Sequence, residues 1–282
     1  MLAYRHAFHA GNHADVLKHV LLLQLLRHMA LKDKGVRIVD VHAGAGRYAL
    51  DAPQALKKGE FLQGIARLWP LADADMPAPV ADYVQQVRRL NPDGALRCYP
   101  GSPLLALQQL RTQDQLRLFE LHPTDHQALH ELLGATRGVE VRRADGFAAL
   151  KSQLPPPTRR ALVLLDPSYE GQADYGRVLH TVDEALRRFA GGIVMVWYPV
   201  VTKPGAAALV QGLKALAPAG WLHARLHLQQ PDAQGFGLAG SGVVVINPPH
   251  TLHAQLQDVL PWLARALGQF DGAPHLLQQH AV

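Results

Sequence analysis

The chain has 282 residues, 48% of them hydrophobic, and a formal net charge of +5. This size allows one large domain, or one domain with an insertion, and the small basic surplus suits an anionic partner such as nucleic acid without requiring one. A single cysteine, Cys98, excludes a disulfide within the chain, and the N-terminal residues lack the apolar core of a signal peptide or membrane span, so we expect a cytoplasmic protein.

The N-terminal part of the chain predicts one long helix and no metal site. Asn12 is a suitable N-cap, with Asp15 at the third helical position. Gly35 ends a run of apolar residues at helical spacing, which comprises Leu17, Val20, Leu21, Leu25 and Met29. His9 and His13 have the i, i+4 spacing of a helical metal pair, but turn residues interrupt a helix between them. No cysteine or carboxylate is spaced to complete a zinc site, so we predict no metal.

A glycine turn follows the first predicted strand. The strand covers residues 36–41, and the turn is residues 42–46, HAGAG. Glycines at this place let the backbone approach a ligand closely, and the amides that open a following helix can bind the ligand's carboxylate or ribose. Gly44 and Gly46 are therefore candidate ligand contacts.

Two further predicted strands lead into acidic residues. Residues 116–120 end in Glu120, whose carboxylate is suited to the two ribose hydroxyls of a nucleotide-like cofactor. A solvated charge at a strand end is an equally good interpretation of Glu120 taken alone. Residues 139–142 form the next strand, and Asp145 and Gly146 follow it, where we predict a contact to the edge of an adenine.

The tetrapeptide Asp166-Pro167-Ser168-Tyr169 follows a fourth predicted strand, residues 161–165, ALVLL. Such an unbroken apolar run is typical of a buried parallel strand. The tetrapeptide resembles the [DNS]-P-P-[YFW] signature of amino-group methyltransferases that use S-adenosylmethionine, with a serine in place of the second proline.

The residue types in this tetrapeptide suit methylation of an exocyclic amine. The amine of adenine is a poor nucleophile because its lone pair is delocalised into the ring. Acceptors aimed at its N–H groups, here the Asp166 side chain and the Pro167 carbonyl, favour the more nucleophilic form. Tyr169 can stack on a base that has left its helix.

A second segment competes for the same assignment. Asn247-Pro248-Pro249-His250 also follows an apolar run and fits the first three signature positions better. Its fourth residue is a poorer stacking surface than tyrosine, and it comes too late in the chain for the fourth strand of a methyltransferase sheet. We therefore favour Asp166.

Alternating strands and helices predict a doubly wound α/β sheet. The remaining predicted strands are residues 192–197, 223–229 and 242–247, and the helices are residues 123–134, 176–190, 204–216 and 253–267. The interval between Gly46 and Leu116 is longer than such folds usually need. We therefore predict an inserted helical subdomain at residues 52–97, between residues 1–51 and 98–282 of the main domain.

Eight segments spread over the chain resemble the RlmJ family of 23S rRNA adenine-N6 methyltransferases. They are YRHAFHAGNHADVLKH, DVHAGAGRY, GEFLQGIARLWP, YPGSPL, ADGF, DPSY, WYPV and VINPP. The resemblance implies a Rossmann-like, S-adenosylmethionine-dependent methyltransferase with an inserted helical subdomain, acting on one adenine of 23S rRNA. It also implies a catalytic Asp166 and cofactor contacts at His19, His42, Ser102, Glu120, Asp145 and Gly146.

The N-terminal segment is predicted to meet the RNA. The resemblance implies that Tyr4 contacts the substrate, and the polar, basic residues around it suit phosphate and base contacts. Since no apolar pattern anchors this segment, we expect a mobile tail that closes over the cofactor pocket when RNA binds. Two other functions stay open, a DNA adenine methyltransferase and an RNA-binding relative impaired in catalysis by Ser168. We expect a monomer.

Overall fold

Strands and helices alternate along the chain, as the sequence predicts. A computed structural model describes residues 4–201, 205–217, 219–230 and 238–281. The helices are α1 (His13–Ala30), α2 (Pro53–Lys58), α3 (Ile65–Leu68), α4 (Ala78–Arg88), α5 (Ser102–Gln108), α6 (Pro123–Leu133), α7 (Gly146–Leu150), α8 (Ala173–Arg188), α9 (Ala206–Leu216) and α10 (Leu252–Leu267). The strands are β1 (Arg37–Asp40), β2 (Arg47–Ala49), β3 (Cys98–Pro100), β4 (Gln115–Phe119), β5 (Val139–Arg142), β6 (Ala161–Leu165), β7 (Ile193–Val200), β8 (Gly220–His227), β9 (Gly240–Ile246) and β10 (His275–Ala281).

Eight of these strands form one sheet in the order β10-β8-β9-β7-β6-β1-β4-β5. β1 lies between β4 and β6 and is parallel to both, whereas β9 is antiparallel to its neighbours β7 and β8. A sheet with parallel central strands and helices on both faces is a Rossmann-like α/β arrangement, which confirms the predicted fold class. Because the chain reverses its direction of travel across the sheet at β1, a crevice opens beyond the carboxyl ends of the parallel strands.

Two apolar layers cover the sheet. β6 is buried along its whole length and contributes alternate side chains to each layer, Leu162 and Leu164 to one and Val163 and Leu165 to the other. This alternation follows from the period of two in a strand. The first layer holds α1, α4, α5 and α10, and the second holds α7, α8 and α9. Burial on both faces explains why the strand has no polar residue.

The predicted insertion contains α2, α3 and α4. Ile65 and Leu68 of α3 and Val84 of α4 are fully buried and belong to the same core cluster as Leu17 of α1. The division of the chain into a main domain and an inserted subdomain stays a prediction. In the described parts of the chain, no helix combines the length and apolarity that a membrane crossing needs.

Several element boundaries differ from the prediction. α1 ends at Ala30, well before Gly35, and the glycine turn leads into β2, which pairs with β3, where a helix was expected. β2, β3 and the edge strand β10 have no counterpart in the prediction, because the first two are three residues long and β10 is mostly polar and half-exposed. α9 begins at Ala206; residue 204, the predicted start, lies outside the described residues.

Candidate active site

A cavity of about 720 Å³ lies at the carboxyl ends of the central strands. It brings together nearly all of the site residues that the sequence predicts: Tyr4, His19, His42, Gly44, Ser102, Glu120, Asp145, Gly146, Asp166, Pro167 and Tyr169. These residues come from distant parts of the chain, so the convergence is produced by the sheet topology and not by proximity in sequence.

Glu120 directly follows β4 and links the end of that strand to the glycine turn after β1. Its Oε2 accepts a hydrogen bond of 2.8 Å from the Gly44 backbone N–H, and its Oε1 accepts one of 2.7 Å from the His122 N–H. Each carboxylate oxygen keeps a further lone pair. Burial raises the pKa of Glu120, while the two backbone donors oppose that rise. The carboxylate is thus fixed in the cavity wall with acceptor capacity to spare.

Gly46 does not line the cavity. Its φ is +76°, and its carbonyl accepts a 2.9 Å hydrogen bond from the Gly101 N–H. A Cβ at this position would lie 2.8 Å from Leu129 Cδ1. Gly46 thus shapes the turn, and its contact with a ligand stays a prediction.

Asp145 and Gly146 form the start of α7 beside the end of β1. Asp145 Oδ1 caps the helix by accepting from the Phe147 N–H at 3.0 Å, and Oδ2 accepts from Arg177 Nη2 at 2.6 Å. A Cβ on Gly146 would lie 2.0 Å from the Val41 carbonyl oxygen, so only glycine fits here. The Asp145 carboxylate is therefore fixed in orientation at this end of the cavity.

Asp40 lies buried beside the cavity and was not predicted. Ser102 Oγ donates to its Oδ2 at 2.6 Å, and the His42 N–H donates to its Oδ1 at 3.2 Å. Burial raises the pKa of Asp40 to about 6, and the nearby charge of Asp166 acts in the same direction. Asp40 thereby holds both the serine and the glycine turn in place.

His19 is a neutral, buried histidine. Its Nδ1 shares a 2.8 Å hydrogen bond with the Tyr99 hydroxyl, which bonds in turn to Tyr83 at 2.9 Å. Burial lowers the pKa of His19 to about 3. Its Nε2 is buried without a partner among the described residues, so this atom is available to a ligand.

A buried charge cluster surrounds Asp166. The Lys18 ammonium pairs with Asp166 and lies 2.9 Å from Asp15 Oδ1, and Asp15 Oδ2 in turn pairs with His6 Nε2 at 2.9 Å. Burial raises the pKa of Asp166, and the positive charge of Lys18 opposes that rise. The sequence prediction missed Lys18 and its partner Asp15, although two charges at i, i+3 in an apolar helix are an available signal.

Tyr169 stands in a strained conformation at the cavity wall. Its φ is +51°, which is uncommon for a bulky residue. Its hydroxyl donates a 2.7 Å hydrogen bond to the Trp197 carbonyl, and its ring centroid lies 4.7 Å from that of Tyr175. These contacts with Trp197 and Tyr175 fix the position of the Tyr169 ring in the cavity wall. Its stacking on a substrate base stays a prediction.

Asn247 does not belong to this cavity. Asn247 follows β9, which is antiparallel to β7. Because β7 is parallel to β6, Asn247 lies at the opposite end of the strands from Asp166. Its side-chain amide donates to the carbonyl oxygens of Ala190 and Gly192, both at 2.7 Å. The competing signature match is therefore a structural turn.

The N-terminal segment sits over the cavity mouth. Arg5 pairs with Asp125 at 2.9 Å, the Tyr4 hydroxyl bonds to His6 at 2.8 Å, and the Tyr4 ring stacks on His9 at 5.2 Å between centroids. Polar contacts thus anchor residues 4–9. The sequence predicts no anchor for this segment because it lacks an apolar pattern. Closure of this segment on RNA binding stays a prediction.

His6 and His9 of the N-terminal segment have acidic protein partners. His9 Nδ1 pairs with Glu60 Oε2 at 2.9 Å, and burial lowers the pKa of His13 to about 4. Within the described residues no group of three histidine, cysteine or acidic side chains is arranged to hold a metal ion.

Comparison with known proteins identifies the family. The model of the family described as "Ribosomal RNA large subunit methyltransferase D, RlmJ" matches residues 33–277. Proteins named Ribosomal RNA large subunit methyltransferase J from Haemophilus influenzae and Escherichia coli are 44% and 45% identical, over 95% and 93% of this chain and 94% and 93% of theirs. A crystal structure of a Legionella pneumophila protein is 33% identical and superposes with a TM-score of 0.86, covering 96% of this chain and 98% of that one. The chain therefore belongs to the RlmJ family of methyltransferases.

Proposed function

We propose that this protein transfers a methyl group from S-adenosylmethionine to N6 of an adenine in 23S rRNA. The observation that carries the proposal is the position of Asp166 and Pro167. They leave the carboxyl end of β6 inside the same cavity that holds Glu120 and Asp145. The large-subunit ribosomal RNA named for the two bacterial relatives supports the substrate class.

The residues of the cavity fit the cofactor. Glu120 has spare acceptor capacity for two ribose hydroxyls, and Asp145 for the adenine amine. The unpartnered Nε2 of His19 offers a buried polar contact of a kind that native proteins rarely leave unused. When bound, S-adenosylmethionine supplies a methyl group made electrophilic by a positively charged sulfur.

Asp166 and Pro167 are suited to hold the target amine. A carboxylate and a backbone carbonyl together can accept both N–H groups of N6, which leaves the nitrogen lone pair free to attack. Lys18 is placed to keep Asp166 ionised despite its burial, because its charge opposes the rise of the carboxyl pKa. The proton that N6 loses leaves to Asp166 or to water.

Aromatic side chains line the cavity near the acceptors. Tyr169 lies at the cavity surface and contacts Trp197, whose indole N–H is buried without a partner among the described residues. Such a surface suits a flipped base, since stacking replaces contacts that the base loses on leaving its helix. Ser168, which replaces the usual proline, is exposed and so leaves both acceptors in place.

A substrate comparison tests this proposal. The protein is incubated with radiolabelled cofactor and either transcribed 23S rRNA or duplex DNA of matched adenine content. We expect label in the RNA alone. Label in DNA would contradict the RNA proposal, and cofactor binding without label in either nucleic acid would indicate a catalytically impaired relative. Asp166→Ala protein serves as the background control.

A further inference from the structure

Arg177 of α8 makes two contacts at one end of the cavity. Its Nη2 lies 2.6 Å from Asp145 Oδ2. Its guanidinium carbon lies 4.5 Å from the centroid of the Phe147 ring, within the range of a cation–π contact. The guanidinium is therefore held at one terminal nitrogen by a carboxylate and over its central carbon by an aromatic ring.

These contacts place Arg177 in the wall between the main cavity and a neighbouring groove. A second groove of about 540 Å³ lies beside the main cavity, and Phe147 and Arg177 line both. The other residues of the groove include Lys151 and His180, which do not line the main cavity. The stacked pair of Phe147 and Arg177 thus separates the end of the cavity that contains Asp145 from the open groove.

The same contacts fix the orientation of the Asp145 carboxylate. Oδ1 is held by the Phe147 N–H at 3.0 Å, and Oδ2 is held by the arginine. A carboxylate held at only one oxygen can rotate about its terminal bond, whereas one held at both cannot. Each oxygen still has a lone pair for a ligand donor. An arginine is suited to this task because its planar head carries several donors in a rigid arrangement.

We propose that Arg177 is a positioning residue for the adenine of S-adenosylmethionine. It holds the Asp145 carboxylate as the acceptor of the adenine amino group and closes the adenine end of the cavity toward the neighbouring groove. Arg177 thereby contributes to affinity for the cofactor and to the choice of its base. This inference rests on the assignment of Asp145 in the proposed function and not on the identity of the methylated nucleic acid.

Isothermal calorimetry tests the proposal. It measures binding of the product S-adenosylhomocysteine and of its analogue S-inosylhomocysteine to the full-length protein without RNA. S-adenosylhomocysteine carries the amino group, and S-inosylhomocysteine carries a carbonyl oxygen in its place, which a fixed carboxylate repels. We expect wild-type protein to prefer the adenine compound by at least about tenfold, because an unmatched acceptor pair is costly. Arg177→Ala should bind S-adenosylhomocysteine about tenfold more weakly and discriminate less between the two compounds.

Two further variants make the result specific. Arg187→Ala removes an arginine of the same helix that pairs with Asp183 on the exposed side and should behave as wild type. Arg177→Lys keeps the charge without the planar head and should recover only part of the discrimination. If Arg177→Ala retains wild-type affinity and discrimination, the proposal is wrong. Loss of affinity for both analogues by the same factor would also overturn it, since that indicates a purely structural role.

Failure of this inference is distinguishable from failure of the proposed function. The calorimetric measurement contains no nucleic acid and no methyl transfer. An enzyme that methylates a different base or atom would still show the expected binding pattern. Conversely, an enzyme that methylates adenine N6 in 23S rRNA could show no dependence on Arg177.

Discussion

In the proposed reaction, the carboxylate of Asp166 pairs with Lys18 and also accepts a hydrogen bond from the target amine. Its two oxygens allow both at once, and the backbone carbonyl of Pro167 supplies the second acceptor. The pairing with Lys18 restricts the side chain before substrate binds, so less conformational freedom remains to be lost in the reaction.

We expect Asp166→Ala to abolish methyl transfer while cofactor affinity changes by only a few-fold. The reason is that Asp166 follows β6, whereas the proposed ribose acceptor Glu120 follows β4. Asp166→Asn should retain some activity if the side chain acts mainly as an acceptor. Single-turnover rates and calorimetry check this, and Asn247→Ala is the matched control because Asn247 lies at the opposite end of the strands. Wild-type turnover by Asp166→Ala would reject the assignment.

We expect Glu120→Ala to weaken S-adenosylmethionine binding about tenfold or more, which corresponds to about 1.5–3 kcal/mol for a lost charged acceptor. Glu120 is held by the N–H groups of Gly44 and His122, so the substitution also loosens the glycine turn. Glu120→Gln retains one acceptor oxygen and should lose less. Calorimetry that shows unchanged affinity for Glu120→Ala would exclude it as the ribose acceptor.

The charge of Lys18 should set the acid limit of activity. In the proposed reaction Asp166 works as the carboxylate, and burial raises its pKa while Lys18 opposes the rise. Removing the charge in Lys18→Met therefore raises the pKa further, and the acid limb of the rate profile moves to higher pH. Lys18→Arg should keep the limb in place. We would measure single-turnover rate against pH at saturating cofactor; an unmoved limb in Lys18→Met would contradict this role.

Residues in sequence motifs could be predicted, and residues that act through a spatial partner could not. Asp166, Glu120 and Asp145 each follow a strand that an apolar run identifies, so their place at one sheet edge follows from topology. The pair of Lys18 and Asp166 joins residues 148 positions apart. Nothing in the helical pattern of α1 states which distant side chain Lys18 will meet.

Among the elements, the N-terminal segment is the one that we predict to contact the RNA. Tyr4 is 37% exposed at the cavity mouth, and the half-buried Arg5 pairs with the buried Asp125. His6, by contrast, contacts the buried Asp15. Residues 1–5 can therefore be removed without opening the charge cluster around Asp166.

We expect deletion of residues 1–5 to change the melting temperature only slightly, since the Arg5–Asp125 pair is half-buried on the arginine side and such ion pairs contribute little net stability. Methyl transfer to 23S rRNA should fall by one to two orders of magnitude, or about 1.4–2.8 kcal/mol of lost transition-state contacts. Tyr4→Ala should show part of this loss, and binding of S-adenosylhomocysteine serves as the control. Full activity of the shortened protein would show that the segment has no part in transfer, and failure to fold would show that it is structural.

Elements with strong apolar periodicity were predictable, and short or polar ones were not. β6 is a five-residue apolar strand that is buried on both faces, as its composition requires. β10 alternates polar and apolar residues only weakly, and it exists because its backbone pairs with β8 at the sheet edge. A strand stabilised by its neighbour's hydrogen bonds leaves little signal in its own side chains.

At the scale of the whole molecule, we expect a monomer in solution. Among the described residues, the large apolar side chains that are exposed are Tyr4, Leu31, Leu56, Leu62 and Leu121. They are too few for the apolar surface of an obligate dimer. Sedimentation equilibrium at micromolar protein should give the mass of one chain, and a mass of two chains would contradict the expectation.

The identity of the methylated atom tests the proposed reaction most directly. Transcribed 23S rRNA is methylated by wild-type protein with labelled S-adenosylmethionine, digested to nucleosides and analysed by mass spectrometry beside an N6-methyladenosine standard. We expect the label to be recovered as N6-methyladenosine, at no more than one per RNA molecule, and Asp166→Ala protein to yield none. Label in a cytosine, a guanine, a ribose hydroxyl or another position of adenine would contradict it.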